Sequence, residues 1–373
     1  MKNLGLFLIN ALYMLVSGAL YPLIPLYLEQ QSVGVMEKGY ILTGAALASA
    51  ASSLFWGYLS DRTGKRRIFV LLSGLGQMVA YLLLSAQLSL PLQVTIYLLS
   101  CFISSASFTL VMASAGGGGE VSEAMGNFWA GGSLGWAAGT AISGYLFEGY
   151  GISVVFLFST LFLAFYTLIA FKQCSDLPGR KAGKTEKEGF PPRLLLLLAL
   201  VFVFICVDVV KNLYIPPHYA YDLKLGAATA MLTLSFTSWL EIPSILAFSR
   251  TARRISRWFL LALSFALAAM YLFFNCFVEN SLQAFAVMGF YSLVWGSFSV
   301  SSSTLVSELT EAHGTAYGAY NAVYSIANIA APVLSSTVIE GFGYNTLLWL
   351  LAVISLVIFG ALSIMSTRRH PQS

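Results

Sequence analysis

The chain has 373 residues, of which 58% are hydrophobic and only 10% are charged, and its mean hydropathy is +0.78. Soluble domains carry about 25% charged residues, so this composition excludes a soluble globular protein and indicates one that is embedded in a lipid bilayer. The formal net charge of +4 follows short segments between apolar runs, so we expect no nucleic-acid partner.

Twelve apolar segments along the chain are each long enough to cross a bilayer, which takes about 20 residues in a helix. Most of their connections are short, so neighbouring segments are expected to form antiparallel hairpins. The segments cover roughly residues 4–28, 35–60, 68–86, 91–115, 124–147, 152–171, 193–216, 225–248, 258–277, 282–306, 314–339 and 344–366. The sequence therefore predicts an all-α membrane protein with 12 transmembrane helices.

The one long connection, residues 172–192, is polar and contains Pro, Gly and several charges. It predicts a flexible cytoplasmic linker between an N-terminal six-helix bundle, residues 1–171, and a C-terminal one, residues 193–373. An amphipathic surface helix is the alternative. The two halves also repeat each other, because Glu148-Gly-Tyr-Gly151 recurs as Glu340-Gly-Phe-Gly343, 192 residues later. We therefore expect two pseudo-symmetric bundles.

Lys and Arg mark one side of this topology, since most of the 20 basic residues fall in connections on the same face. Short loops that are rich in Lys and Arg remain in the cytoplasm. We therefore expect an integral protein of the cell membrane with both termini in the cytoplasm. The four cysteines are scattered and lack metal-binding spacing, which predicts packing residues and no metal site.

The first basic connection reads Gly57-Tyr-Leu-Ser-Asp-Arg-Thr-Gly-Lys-Arg-Arg67. It resembles the loop between helices 2 and 3 of the major facilitator superfamily, Gly-x-Leu-x-Asp-Arg-x-Gly-(Arg/Lys)-(Arg/Lys). The positions that match this pattern are Gly57, Leu59, Asp61, Arg62, Gly64, Lys65 and Arg66. The alternative is a tight hairpin whose solvated charges only determine the topology.

The resemblance implies a secondary active transporter with two bundles around a central cavity, which works by alternating access. It also implies that Asp61 meets the start of helix 11, near Gly314, while the cytoplasmic side is closed. We also expect Arg62 to pair with Glu120 or Glu123 at the foot of segment 4. We expect a monomer that moves a small organic solute and is no enzyme. A non-transporting receptor or scaffold with the same fold is the other interpretation.

Charged residues inside the apolar segments are candidates for coupling. Asp208, Lys211 and Asn212 lie on one face of segment 7, and Glu241 lies in segment 8. A charge in hydrocarbon costs at least ~2.5 kcal/mol, so such a residue normally faces a wet cavity or a partner. Our hypothesis is that Asp208 or Glu241 exchanges a proton, while Lys211 pairs with Asp208 or with an anionic solute. The alternatives are an Asp208–Lys211 ion pair that only holds the segment in place, and a Lys211 that extends to the membrane surface.

Segment 1 offers Asn10 and Tyr13 as further residues of the cavity. Segment 5 carries Gly131, Gly135 and Gly139, whose spacing allows close helix packing. In the family this segment lies at the interface between the halves, so a smooth ridge there would allow rocking.

No nucleotide-binding motif is present, so no cofactor is expected and a proton gradient is the simplest source of energy. Efflux of drugs or other amphipathic compounds and transport of a sugar or nucleoside both remain open.

Overall fold

The computed structural model describes residues 2–86, 88–115, 121–173, 191–252, 254–309 and 313–367. Their helices are α1 (Lys2–Leu20), α2 (Leu23–Gln30), α3 (Val35–Thr63), α4 (Arg66–Ser85), α5 (Leu90–Ala115), α6 (Val121–Tyr150), α7 (Ile152–Gln173), α8 (Pro192–Leu213), α9 (Ile215–Pro217) with a π-helical turn (His218–Asp222), α10 (Ala227–Thr251), α11 (Arg257–Asn275), α12 (Ser281–Glu308), α13 (His313–Phe342) and α14 (Tyr344–Thr367).

Each predicted segment coincides with a helix or with an interrupted helix. Ten described helical stretches are long and apolar enough to span a membrane, and Leu90–Ser104 is a shorter apolar one. Large apolar side chains such as Leu54, Leu282 and Val357 are exposed, as expected for surfaces that face lipid. The prediction of an all-α membrane protein is confirmed.

Two of the spans are broken near one end by proline-containing turns. The first span breaks at Tyr21–Pro22, between α1 and α2, and the seventh breaks at Tyr214, between α8 and α9. Proline lacks the N–H that would continue the helical hydrogen bonds, so a break at these places is expected. The breaks lie at corresponding places in the two halves of the sequence.

One compact unit consists of Met1–Ser32, Tyr40–Glu186 and Gly226–Ser235. In it, α1 packs on α6 and α7, and α4 packs on α5 and α7. At three turns of α6, an added Cβ would overlap a backbone carbonyl oxygen of α1; the pairs are Gly131 with Phe7, Gly135 with Ala11, and Gly139 with Leu15. The predicted close packing is confirmed, but this ridge serves α1 of its own unit. The expectation that it forms a sliding surface between the halves was wrong, because the spacing of glycines does not name the neighbouring helix.

The other unit consists of Val33–Gly39, Lys187–Leu225 and Phe236–Ser373. Here α8 packs on α12 and α13, and α11 packs on α12 and α14. The pairs α1·α6, α4·α5 and α4·α7 of the first unit thus return as α8·α13, α11·α12 and α11·α14. This shared packing pattern agrees with the sequence repeat. The linker predicted at residues 172–192 falls mostly outside the described residues, so the division into bundles at that point stays a prediction.

Candidate functional site

Asp208 lies at the centre of a polar cluster in the second unit. Lys211 and Asn212 follow it one turn later on α8, so all three share one face of the helix, as the spacing predicts. The Lys211 Nζ atom is 3.3 Å from Asp208 Oδ1, and Asn212 Nδ2 donates to Asp208 Oδ2 at 3.0 Å. Tyr291 on α12 donates its hydroxyl to Asp208 Oδ1 at 2.8 Å. The carboxylate therefore has three side-chain donors from two helices.

Lys211 is held inside the unit, where only 8% of its side chain is exposed. Its ammonium lies beside Asp208 and 4.5 Å from the centroid of the Tyr291 ring, which is cation–π geometry. The alternative in which Lys211 extends to the membrane surface was wrong. A carboxylate one turn away and the face of an aromatic ring satisfy the charge locally, so the side chain need not reach the headgroups.

Tyr291 itself is fixed by a second tyrosine. The Tyr271 ring packs edge-on against it with 4.8 Å between the ring centroids, and both residues are fully buried. Tyr291 was not predicted to belong to this cluster. The available signal was a tyrosine in an apolar helix, because a buried phenol normally finds a partner for its hydroxyl.

Glu241 lies on α10 where that helix is hydrogen-bonded to α12. Thr237 Oγ1 donates to the Met288 carbonyl and Ser244 Oγ donates to the Ser292 carbonyl, each at 2.7 Å. These bonds lie one turn before and one turn after Glu241. The carboxylate is half-buried and feels the charges of Lys211 and Asp208. Among the described residues, however, it makes neither a hydrogen bond nor an ion pair.

Three aromatic side chains of α8 and α12 pack together next to this cluster. Phe204 lies one turn before Asp208 on α8 and stacks on Phe298 with 3.5 Å between the ring centroids. Trp295, one turn after Tyr291 on α12, lies 6.2 Å from the Phe298 centroid and is half-buried. Phe204 and Phe298 are fully buried in the core of the unit, so only the ring of Trp295 keeps part of its surface exposed.

The two candidates on α1, Asn10 and Tyr13, belong to the first unit. Asn10 is fully buried, and its amide lies so close to Gly132 that a Cβ there would come within 2.5 Å of it. The Tyr13 ring lies 5.6 Å from the ring of Tyr166. A role for either residue in solute binding stays a prediction.

The basic connection between α3 and α4 is a tight turn. Gly64 ends α3 with a φ of +70°, a conformation that favours glycine at the end of a helix. Arg62 Nη1 lies 3.4 Å from the hydroxyl of Tyr58. The expected contacts of Asp61 with the start of helix 11 and of Arg62 with Glu120 or Glu123 are here called the cytoplasmic latch. Glu120 lies outside the described residues, and only the backbone is described at Gly57, Asp61, Arg66 and Glu123. The latch therefore stays a prediction.

Comparison with protein families assigns the fold. A family model described as Major Facilitator Superfamily matches residues 6–332 and 196–373. The chain belongs to the Major Facilitator Superfamily. As a member of this superfamily it is an integral membrane protein that transports small molecules by secondary transport, and it is not an enzyme.

Relatives and solved structures agree with this assignment. The multidrug resistance protein MdtG of Rahnella sp. (strain Y9602) is 25% identical over 382 residues, covering 96% of this chain and 90% of that protein. The protein of the same name from Klebsiella pneumoniae (strain 342) is 26% identical and covers 98% of this chain and 92% of that protein. The nucleoside transporter NupG superposes with a TM-score of 0.74 at 15% identity, and covers 98% of both chains. A POT family transporter in complex with 5-aminolevulinic acid gives 0.81 at 11% identity, with 98% of this chain and 96% of that chain covered. These two likenesses concern the fold alone.

Proposed function

We propose that this transporter exports amphipathic compounds from the cytoplasm in exchange for protons. It works as a monomer in the cell membrane with both termini in the cytoplasm. The proton gradient is its energy source, and it uses no cofactor and binds no nucleic acid. The concentration of basic residues on one face of the predicted topology supports this orientation.

The difference between Asp208 and Glu241 carries the proposal. Asp208 is matched by Lys211, Asn212 and Tyr291, and the charges of the Asp208–Lys211 pair cancel. Glu241 has no such match among the described residues, so its ionised form leaves one negative charge in excess. A proton or a cationic group of the solute neutralises that charge, and the two compete for one carboxylate. This competition couples export to proton entry, with Glu241 as the proton carrier.

The class of solute is supported by the relatives' name, multidrug resistance protein, and by the partly exposed ring of Trp295, which lies one turn after Tyr291 on α12. The serine-rich stretch of α12 does not favour a sugar or nucleoside. Its hydroxyls are used within the fold, since Ser301, Ser303 and Thr304 donate to carbonyls of their own helix. This is the usual fate of helical hydroxyls.

The cytoplasmic latch belongs to the same proposal. Asp61 contacts the start of α13 when the cytoplasmic side is closed, as the resemblance of the basic connection implies, and Arg62 pairs with Glu120 or Glu123. A carboxylate at a helix N-terminus contributes ~0.3–1 kcal/mol, which is enough to bias two conformations of similar energy.

The test is a flux assay with the purified protein in liposomes, with an imposed pH step and a fluorescent amphipathic cation as the solute. The natural sequence is expected to move the solute faster when the step is present. Glu241→Gln is expected to lose this acceleration while exchanging solute without a gradient. Glu279→Gln is the matched control, because Glu279 is an exposed carboxylate between α11 and α12 and its removal should leave the acceleration intact.

An unchanged response to the pH step in Glu241→Gln would remove Glu241 from coupling. Absence of flux under any gradient, with folded protein, would favour the receptor or scaffold interpretation. Flux of nucleosides but not of amphipathic cations would contradict the proposed solute class.

A further inference from the structure

Two glutamates make the same contact at two places in the structure. In the first unit, Glu148 near the end of α6 accepts a hydrogen bond on Oε2 from the backbone N–H of Ala228, at 2.7 Å. In the second unit, Glu340 near the end of α13 accepts one on Oε2 from the backbone N–H of Met36, at 3.2 Å. Ala228 and Met36 are each the second residue of their helix, where the N–H has no partner within the helix.

These contacts are copies of one arrangement. The glutamates and the residues that donate to them are related by the same shift of 192 residues (340 − 148 and 228 − 36). The backbone around them repeats as well. Ser32 and Lys224, which are separated by the same shift and precede the two capped helices, have φ values of 57° and 56°.

A second observation at the same helix crossings points the same way. A Cβ at Gly39 would lie 2.6 Å from Ser336 Oγ, and a Cβ at Gly144 would lie 2.7 Å from Met231 Cβ. The two pairs correspond by the same shift of 192 residues, since Gly39 corresponds to Met231 and Gly144 corresponds to Ser336. The glycine therefore lies on α3 in one pair and on α6 in the other. Each crossing is so close that only one partner carries a side chain. The first turn of α3 therefore packs closely on α13, and the first turn of α10 packs closely on α6. Each pair of helices is held by close backbone packing as well as by a glutamate.

Each contact joins a segment from one half of the sequence to a helix from the other half. The first turn of α10 is grouped with the first unit, and the first turn of α3 is grouped with the second. Alternating access requires contacts of this kind to form on one side of the membrane and to break in every cycle.

We propose that Glu148 and Glu340 are positioning residues of the transport cycle. They form two equivalent latches, at the ends of the helices away from the basic connections, and both latches close and open with one conformational equilibrium. The inference rests on transport by alternating access and is independent of the proton coupling proposed for Glu241.

The test uses buried positions at the two crossings as reporters. Ser336→Cys reports on the Glu340 latch, and Met231→Cys reports on the Glu148 latch, since both side chains are fully buried. The rate of maleimide labelling is measured on the full chain in lipid nanodiscs, with the four native cysteines replaced by serine. Neither solute nor a gradient is needed, so the outcome does not depend on the proton-coupling hypothesis.

Glu148→Ala is expected to raise the labelling of its own reporter roughly threefold, and Glu148→Ala with Glu340→Ala about tenfold, as two helix N-terminal carboxylates would give. The decisive measurement is the effect of each glutamate substitution on labelling at the other latch, which we call the crossed effect. Because both latches follow one equilibrium, Glu148→Ala must also raise labelling at the Ser336→Cys reporter, and Glu340→Ala must raise it at Met231→Cys. Glu148→Gln keeps the shape and the acceptor but loses the charge, and it is expected to give part of the increase.

Glu37→Ala is the matched control. Glu37 lies in the first turn of α3, but its Oε2 is 3.4 Å from the backbone nitrogen of Gly34 in the same segment, so it caps locally without joining two helices of different halves. It should leave both reporters near the natural rate. The proposal is overturned if each glutamate changes only its own reporter, if Ala and Gln variants alike change neither, or if Glu37→Ala produces the crossed effect.

Discussion

Tyr291 donates a 2.8 Å hydrogen bond to Asp208 from a neighbouring helix, and the face of the same ring carries the ammonium of Lys211. One side chain thus contacts both members of a buried ion pair. The pair on α8 is thereby tied to α12, so a change in the protonation or distance of the pair is felt by a second helix.

Tyr291→Phe is expected to lower the free energy of unfolding by ~1–3 kcal/mol, because Asp208 loses a donor in a site with little water. The matched control is Tyr271→Phe. The Tyr271 hydroxyl donates to the Met288 Sδ atom, at 3.3 Å, and sulfur is a weak acceptor, so a smaller loss is expected. Thermal unfolding in detergent measures both. Equal losses would show that the bond to Asp208 adds little to the fold.

Asp208→Asn and Lys211→Met are each expected to destabilise the protein by ~3–5 kcal/mol, because either change leaves a buried charge without its main partner. The double variant should lose clearly less than the sum of the single losses, since no unpaired member of the pair then remains. Unfolding midpoints of the four proteins form the cycle. Additive losses would mean that the two side chains do not depend on each other.

Gly135→Ala is expected to cost ~1–3 kcal/mol or to prevent folding, because the added Cβ would overlap the carbonyl oxygen of Ala11, and backbone cannot move aside as a side chain can. Gly149→Ala, in the same helix, is the control. A Cβ at Gly149 meets no atom within 4 Å, so this substitution should be neutral or slightly stabilising through helix propensity. Expression level and the unfolding midpoint distinguish the two. Equal behaviour would contradict the close approach of α6 to α1.

Arg67→Lys is expected to lower the unfolding midpoint although it preserves the charge. Arg67 Nε donates to the Phe171 carbonyl at 3.0 Å, and its guanidinium lies 4.8 Å from the centroid of the Phe171 ring. Lysine cannot reproduce both contacts with one planar group. Lys65→Arg, an equally charge-preserving exchange at an exposed position, should leave the midpoint unchanged. A loss in both variants, or in neither, would assign Arg67 only a role in topology.

Much of the fold could be predicted from the sequence because a bilayer imposes one strong requirement. Every backbone polar group must be satisfied inside the segment that crosses, so apolar length translates directly into helices. The break between α1 and α2 was also predictable, since Pro22 cannot donate to the helical ladder. The face shared by Asp208, Lys211 and Asn212 followed from spacing alone.

The partners across helices could not be predicted in this way. Tyr291 is 83 residues from Asp208 in the chain, and nothing local relates their positions. The glycines of α6 indicated that some helix comes close, but only coordinates identify it as α1. The repeat of Glu148 at Glu340 was visible as a pattern, but its meaning depends on the two N–H groups that the glutamates reach.

The glycines at positions 39 and 144 have an evolutionary consequence. If the two halves descend from one duplicated ancestor, both inherited the same close helix crossing. One copy of the crossing has its glycine on α3, at Gly39, and the other has it on α6, at Gly144. A side chain added at one of these glycines alone would then overlap the opposing residue. The same substitution should be tolerated when the opposing residue is changed to glycine at the same time. Gly144→Ser together with Met231→Gly would recreate in one repeat the solution that the other repeat already uses.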